Sequence, residues 1–566
     1  MGEEHQPESA ASSGFKLGRA WVAVGALAVL LVVSMWLWTL PFQTNPMPFG
    51  EGDSAWHFAI GDHISSSDKA AYRLPYYIGV WYYGFNRILG PFAPEYPPSS
   101  HVNYAMMQVA GADRFVPVFI YRAFGSFLGV VAVFFVVWRL FGVLPAFLAG
   151  LGLAFSLREQ MTYLFGQQPT LTAIVLTPVA SYAWFRFLVS LYERKVNYSY
   201  LFAAFALLAS QFMLHIQGFA ASVVFIGVFS VLMAVRFRRI PLSMRVAVRL
   251  ALALAVLAVV AAPFAAIYLG AGDVVSRSGF GRLFEWGISP DDVRGSFPES
   301  FVSFSAEYPS VVLPFLAAGV LLLLLRLLLV RNNVKELFVL SWLVGMYIVV
   351  HLDVFIPTGL NRLARMLVLE NHVFFTLIAM SVVWLPQTLS SLLRFDGKLV
   401  SAAKYSLAAV LVVSIVFTSG ESGSNSLKAA YGGIDRITPV QADFAASYLS
   451  TLPDDAFVYD PSVKIVGQWR YPKMRWMLAV SRRHIARYEG GEIAAADFID
   501  KSRIYFMFDY SDIALLASSQ QYQQQAALWA GQLQQVEQQL FNGTAPVYDV
   551  NNIRLYRYEG VGGVPA

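Results

Sequence analysis

The sequence predicts a polytopic α-helical membrane protein that carries a small α/β domain at its C-terminus. Three observations predict it. Hydrophobic residues make up 57% of the 566 residues and charged residues only 14%, against roughly 25% charged in soluble proteins. The apolar residues gather in about eleven runs of the length that crosses a hydrocarbon core of about 30 Å. Lys and Arg recur in every second loop between those runs, as cytoplasmic loops require.

The runs fall at 20–42, 116–138, 140–157, 171–191, 199–214, 218–235, 248–269, 310–330, 336–356, 364–386 and 404–419. The third, fifth and eleventh are short. The first is long, is flanked by Pro41 and lacks a small-residue cleavage pattern, so it reads as a retained anchor. The basic loops hold Lys16 with Arg19, Arg139, Arg194 with Lys195, Arg236 to Arg249, Arg331 with Lys335, and Arg394 with Lys398. That alternation puts residues 1–19 in the cytoplasm and the C-terminus outside, and the plasma membrane is the expected location. Residues 20–419 then form the membrane module, with long external loops at 43–115 and 270–309. Residues 420–566 form the external domain, opened by the linker-like run Ser419 to Gly423. Within it, Ala456–Asp460 and Ile504–Asp509 read as buried strands and Val547–Tyr558 as a hairpin around Asn551-Asn552. Residues 439–450 and 520–541 read as helices.

Several function classes fall away. Cysteine is absent, which excludes zinc-thiolate sites, iron–sulfur clusters, disulfides and cysteine nucleophiles. A net charge of +5 over so long a chain is no nucleic-acid footprint. A transporter or flippase stays as the alternative of a different class, and it would keep charge near the bilayer midplane on broken helices. Runs such as 248–269 and 310–330 are bland. The polar groups crowd at the outer ends of the spans, which points to chemistry at the external membrane surface.

The densest cluster opens the first external loop: Glu51, Asp53, Trp56 and His57, then Asp62-His63. These carboxylates and imidazoles suit a divalent-cation site or a general base. A solvated loop with Asp53 capping a helix has the same pattern. The loop continues through an aromatic stretch from Tyr72 to Phe85 and a Glu95-Tyr96-Pro97-Pro98 segment, either an interfacial anchor or an apolar slot for a lipid-linked substrate. A second cluster joins Arg158-Glu159-Gln160 to Gly166-Gln167-Gln168-Pro169, where amides suit a sugar better than a metal and a plain turn fits as well. A third holds Arg362 and Arg365, then Glu370 and His372. A guanidinium at a span's outer end either snorkels or grips a phosphate, and Glu370 lies about one turn from Arg365. His215 with Gln217 reads first as a structural histidine and second as a lining residue. Asn542-Gly543-Thr544 is a sequon on the external face, and Asn197-Tyr198-Ser199 a second one placed inside.

In this order the clusters resemble the type-C glycosyltransferases, most of all the catalytic subunit of oligosaccharyltransferase and its archaeal and bacterial single-chain counterparts. Asp53-Ser54-Ala55-Trp56-His57 is similar to the family's Asp, aromatics and His at the fifth place. Tyr96-Pro97-Pro98 is similar to a Tyr-Pro-Pro segment late in the same loop. Ser303 to Pro309, with Glu307, is similar to the Ser/Thr-x-x-Glu motif of the late external loop. Arg365-Met366-Leu367-Val368-Leu369 is similar to the segment whose Arg meets the donor phosphates. The likeness covers roughly residues 20–420 in topology.

The resemblance implies a polyprenyl-phosphate-linked sugar donor and an external acceptor, protein, glycan or lipid, that attacks the anomeric carbon with inversion. Asp53 and Glu307 would be catalytic, and Arg365 with Arg362 would bind the donor phosphate. His57, Trp56, Gln167, Gln168, Tyr96 and His215 would line the substrates. A divalent cation, Mg²⁺ or Mn²⁺, would sit on Asp53 and His57. Two departures bear on this. Gln167-Gln168 stands where the family has its second acidic motif, so a metal site there loses ligands, and Gly-Gln pairs at this place resemble type-C enzymes that use polyprenyl-phosphate monosaccharides. The Trp-Trp-Asp motif that reads a sequon is missing, the nearest text being Gln468 to Tyr471 and Arg475-Trp476. Protein N-glycosylation is therefore expected by motif order, with a monosaccharide transferase building a surface glycan or glycolipid as its rival.

Overall fold

The computed structural model describes residues 11–45, 47–50, 52–66, 99–111, 113–164, 166–270, 310–330, 333–351, 363–394, 396–419, 436–467, 470–488 and 501–558. Tyr96, Glu307 and Arg362 lie outside the described residues, as do the linker at 420–423, residues 67–98 of the first long loop and residues 271–309 of the second. Arg365 lies in the first turn of the Leu363–Leu393 helix, with its side chain outside the description.

The described part of each of the eleven apolar runs falls mainly on helix. Among the described residues, eight helices are long and apolar enough to cross a membrane: Ala20–Pro41, Val116–Phe141, Gln168–Tyr192, Ile216–Phe237, Met244–Ala265, Val312–Leu329, Val368–Leu393 and Gly397–Thr418. Val143–Ala154, Tyr198–Leu214 and Val334–Val350 are shorter. The run at 404–419 is thus longer than its sequence pattern indicates, because the helix starts at Gly397 behind an Asp396 cap. Several helices keep large apolar side chains in the open, such as Met244, Val259 and Leu328, as a lipid-facing surface does.

Local chemistry places the helix ends that matter for the site. Asp113 Oδ1 accepts from the backbone N–H of Phe115 and Val116, at 2.7 and 2.6 Å, and Pro117 follows in the first turn, so the Val116–Phe141 span begins there. The 168–192 span is broken into Gln168–Ile174 and Thr177–Tyr192, each with a proline in its first turn. Gly52–Ser66 and Ser99–Ala110 are short polar-ended helices that pack together beside the spans.

The C-terminal sheet has the order β2-β1-β3-β5-β4, with β1 Phe457–Asp460, β2 His484–Arg487, β3 Ile504–Asp509, β4 Tyr548–Val550 and β5 Ile553–Arg557. β1 pairs parallel with β2 and β3, and β5 pairs antiparallel with β3 and β4. The β4–β5 turn is Asn551-Asn552, both at positive φ, which is the twist a two-residue hairpin needs and Asn tolerates. Around the sheet lie Pro439–Ser447, opened by a Thr438–Gln441 capping box, and Gln523–Phe541. The sequence pattern contains no hint of β2 or of the Arg470–Ser481 helix that precedes it.

Candidate active site at the junction of the membrane module and the C-terminal domain

Asp53 sits in the first turn of the Gly52–Ser66 helix. The loop that carries Gln167 and Gln168 lies directly against this turn. Gly166 has φ +75°, and a Cβ built on it would fall 2.3 Å from Ser54 Oγ and 2.4 Å from Ser54 N. Gly50, at φ +104°, approaches Ser54 from the other side, where a Cβ would also fall 2.3 Å from Oγ. Only a glycine allows such a conformation and such contact. The first and second sequence clusters are therefore brought together. Gln167 and Gln168 are buried, and the Oε1 of each accepts no hydrogen bond among the described residues. Gln168 Nε2 donates to Arg122 O at 3.5 Å.

The second cluster also meets the third. Arg158 Nη1 lies 3.9 Å from Glu370 Oε2 and donates to Asn371 Oδ1 at 3.3 Å. Asn371 Nδ2 donates to Ser156 Oγ at 2.8 Å, and His372 Nε2 lies 3.5 Å from Glu159 Oε1. This buried polar seam fastens Leu157–Leu164 to the helix that carries Arg365. Burial of so many polar groups is costly without partners, so the seam fixes how the two helices meet.

The remaining site residues divide. His57 Nδ1 faces His101 Nε2 at 2.9 Å, both rings buried. Burial, and then the neighbouring His57, push His101 well below the ordinary histidine range, so the His101 ring is neutral where it meets His57. Trp56 is buried in the helix turn beside it. His215 caps the Ile216–Phe237 helix, its Nδ1 accepting from Gln217 N at 3.3 Å, which is the structural role the sequence favours. Asp62, grouped with Asp53 in the sequence, is instead clamped between two guanidiniums: Arg114 at 2.6 and 2.5 Å, and Arg482 at 2.8 and 3.2 Å.

Among the described residues, the donor set around Asp53 does not fit a divalent cation. Among the described residues no three His, Asp or Glu side chains gather to hold one. Gln167 and Gln168 supply amides, His57 Nδ1 is engaged with His101, and the charged neighbour of Asp53 is itself a cation. Arg475 Nη1 lies 3.8 Å from Asp53 Oδ1. Arg475 comes from the Arg470–Ser481 helix, whose Trp476 donates to Gly50 O at 3.1 Å and packs at an angle among Phe58, Phe115 and Phe119. Sequence reasoning assigned this helix no role. Its signal was the Arg475-Trp476 pair, noted only where a different motif was missing.

No family model and no curated protein matches the chain. Solved structures do. The likeness is one of fold. Archaeal oligosaccharyltransferase AglB from Archaeoglobus fulgidus, in complex with an inhibitory peptide and a dolichol-phosphate, is similar over 92% of this chain and 72% of its own, at 15% identity and a TM-score of 0.55. ArnT from Cupriavidus metallidurans, bound to undecaprenyl phosphate, is similar over 96% of this chain and 99% of its own, at 12% identity and a TM-score of 0.54.

Proposed function

We propose that this protein is an integral-membrane glycosyltransferase that moves a sugar or oligosaccharide from a polyprenyl-phosphate-type donor to an acceptor at the membrane face bearing the C-terminal domain. The carrying observation is the meeting of Asp53, the Gly166–Gln168 loop and the Arg365 helix, on a fold shared with two proteins seen with polyprenyl phosphates. In this reading the acceptor attacks the anomeric carbon while the carbon–oxygen bond to phosphate breaks. Asp53 takes or orients the acceptor's proton. Arg365, with Arg362, meets the charge that builds on the departing phosphate, where a planar guanidinium fits two oxygens. Glu307 and Tyr96 would act on the acceptor side. Gln167 and Gln168 hold buried acceptor oxygens suited to sugar hydroxyls. No step is routed through a metal.

Motif order favours a protein acceptor. The glycan or lipid acceptor has its own support in Gln167-Gln168. The test is transfer from native lipid-linked donors to a fluorescent Asn-x-Thr peptide, read as a mass shift, with a parallel search for labelled lipid and glycan. We expect transfer by the wild type, loss of at least about 100-fold in Asp53→Asn, and no effect of chelator. Undiminished transfer by Asp53→Asn would remove the site assignment, and inhibition by chelator would restore the metal. Donor-dependent lipid movement with no glycosyl product would favour a flippase.

A further inference from the structure

We propose that Arg475 is a positioning residue of the transfer site, so that the C-terminal domain completes the active centre; this rests on the glycosyl-transfer reading above. The Gly52–Ser66 and Arg470–Ser481 helices lie against each other and share two ion pairs about two turns apart, Asp53 with Arg475 and Asp62 with Arg482. The two differ in kind. Asp62 is buried, held at hydrogen-bond distance, and backed by Arg114, which also donates to the carbonyls of Ala479 and Val480 at 2.8 and 3.1 Å. That pair is a fastening. Asp53 keeps 31% of its side chain exposed, and Arg475 stands off at 3.8 Å, beyond hydrogen-bond length. That pair is looser and more exposed than the Asp62 clamp.

Arg475 is aimed by its own helix. Its Nη2 donates to Tyr471 Oη at 2.5 Å, and its guanidinium lies 4.6 Å from the centre of the Tyr471 ring. Trp476, next in sequence, sets the depth of insertion through Gly50 and the three phenylalanines. At the start of the helix, Arg470 and Lys473 are tied to Asp460, Asp509 and Asp512 in a fully buried knot. A charge held this firmly beside a half-open carboxylate does not need that carboxylate to stay in place. Arg475 draws on Oδ1 and so sets how the Asp53 carboxylate faces the acceptor. It also supplies, from a side chain, the positive charge for which the neighbouring amides provide no metal site.

The experiment is steady-state transfer by the full-length enzyme carrying Arg475→Met or Arg475→Lys, with wild type and Asp53→Asn alongside. Thermal melting is recorded for each. We expect Arg475→Met to lower kcat by about 100-fold, with the donor KM changed less than about twofold and melting unchanged. Arg475→Lys should recover about a tenth of wild-type kcat, since it keeps charge but not the planar fork. Added guanidinium ion should raise the Met variant and not Asp53→Asn. Wild-type kcat in Arg475→Met overturns the inference alone. So does a loss that tracks melting and is rescued by neither lysine nor guanidinium. A wild type without transfer, its donor shown intact, overturns the glycosyl-transfer reading and this inference with it.

Discussion

Gly166 carries more of the site than its size suggests. At φ +75°, with Ser54 N and Cα 2.4 and 2.5 Å from any Cβ, it lets one loop touch the turn that bears Asp53. The blocking atoms include backbone, so a rotamer change cannot relieve the clash. Gly166→Ala should cost about 1–3 kcal/mol in strain and push Gln167 and Gln168 away from Asp53, lowering transfer by about tenfold or more. Gly543 is the control, at φ +79° with nothing within 4 Å, where alanine should cost about 1 kcal/mol and leave transfer intact. Paired melting and activity assays check both, and wild-type transfer by Gly166→Ala would show that the loop's approach is immaterial. At this scale the sequence singled out Asp53, because a carboxylate just past a span stands out against an apolar background. It was silent on Arg475, because an arginine on a domain helix is ordinary until the fold sets a carboxylate beside it.

Between elements, the clamp on Asp62 is where docking depends on pH. Burial alone raises the Asp62 pKa, but hydrogen bonds and charge from Arg114 and Arg482 outweigh it and hold the group below its ordinary value of 3.8. A carboxyl depressed in the docked state contributes stability that is complete above that ordinary value. The contribution is lost as pH falls through the lower docked one. Asp62→Asn should therefore lower stability at neutral pH by about 2 kcal/mol, discounted because both guanidiniums remain partly exposed. The gap between variant and wild type should hold from pH 7 to about 5 and close below about 4. Melting of the two proteins across that range measures it, and a gap independent of pH would mean that Asp62 is not the group that titrates. Sequence grouping had set Asp62 with Asp53 because nine residues separate them. What separates their roles is the partner each meets, and both partners come from far along the chain.

Across the whole molecule, the membrane part was legible because apolar runs about 20 residues long have few alternatives. Strands β1 and β3 were legible as short buried runs, and the last hairpin through its Asn-Asn turn. The Arg470–Ser481 helix was not, and the reason is physical. It buries Arg470 and Lys473 completely, so charges occupy positions where a hydropathy pattern expects apolar side chains. Those two cations face Asp460, Asp509 and Asp512, with Gln441 Nε2 donating to Asp509 and Asp512 at 2.9 and 3.0 Å. Burial, against the pull of Arg470, raises the Asp460 pKa, a sign of how closely the knot is balanced. Lys473→Met would leave Arg470 alone against three buried carboxylates and should cost about 3–5 kcal/mol. The C-terminal domain should then lose its protection from protease at a lower temperature than the membrane helices, and transfer should fail together with it. Arg475→Met, two residues away on the same helix, should lower kcat by about 100-fold without that melting. The opposite behaviour of neighbours separates the knot, which builds the domain, from the guanidinium that the domain delivers. Wild-type melting in Lys473→Met would mean that the helix is held by Trp476 and the Asp62 clamp instead.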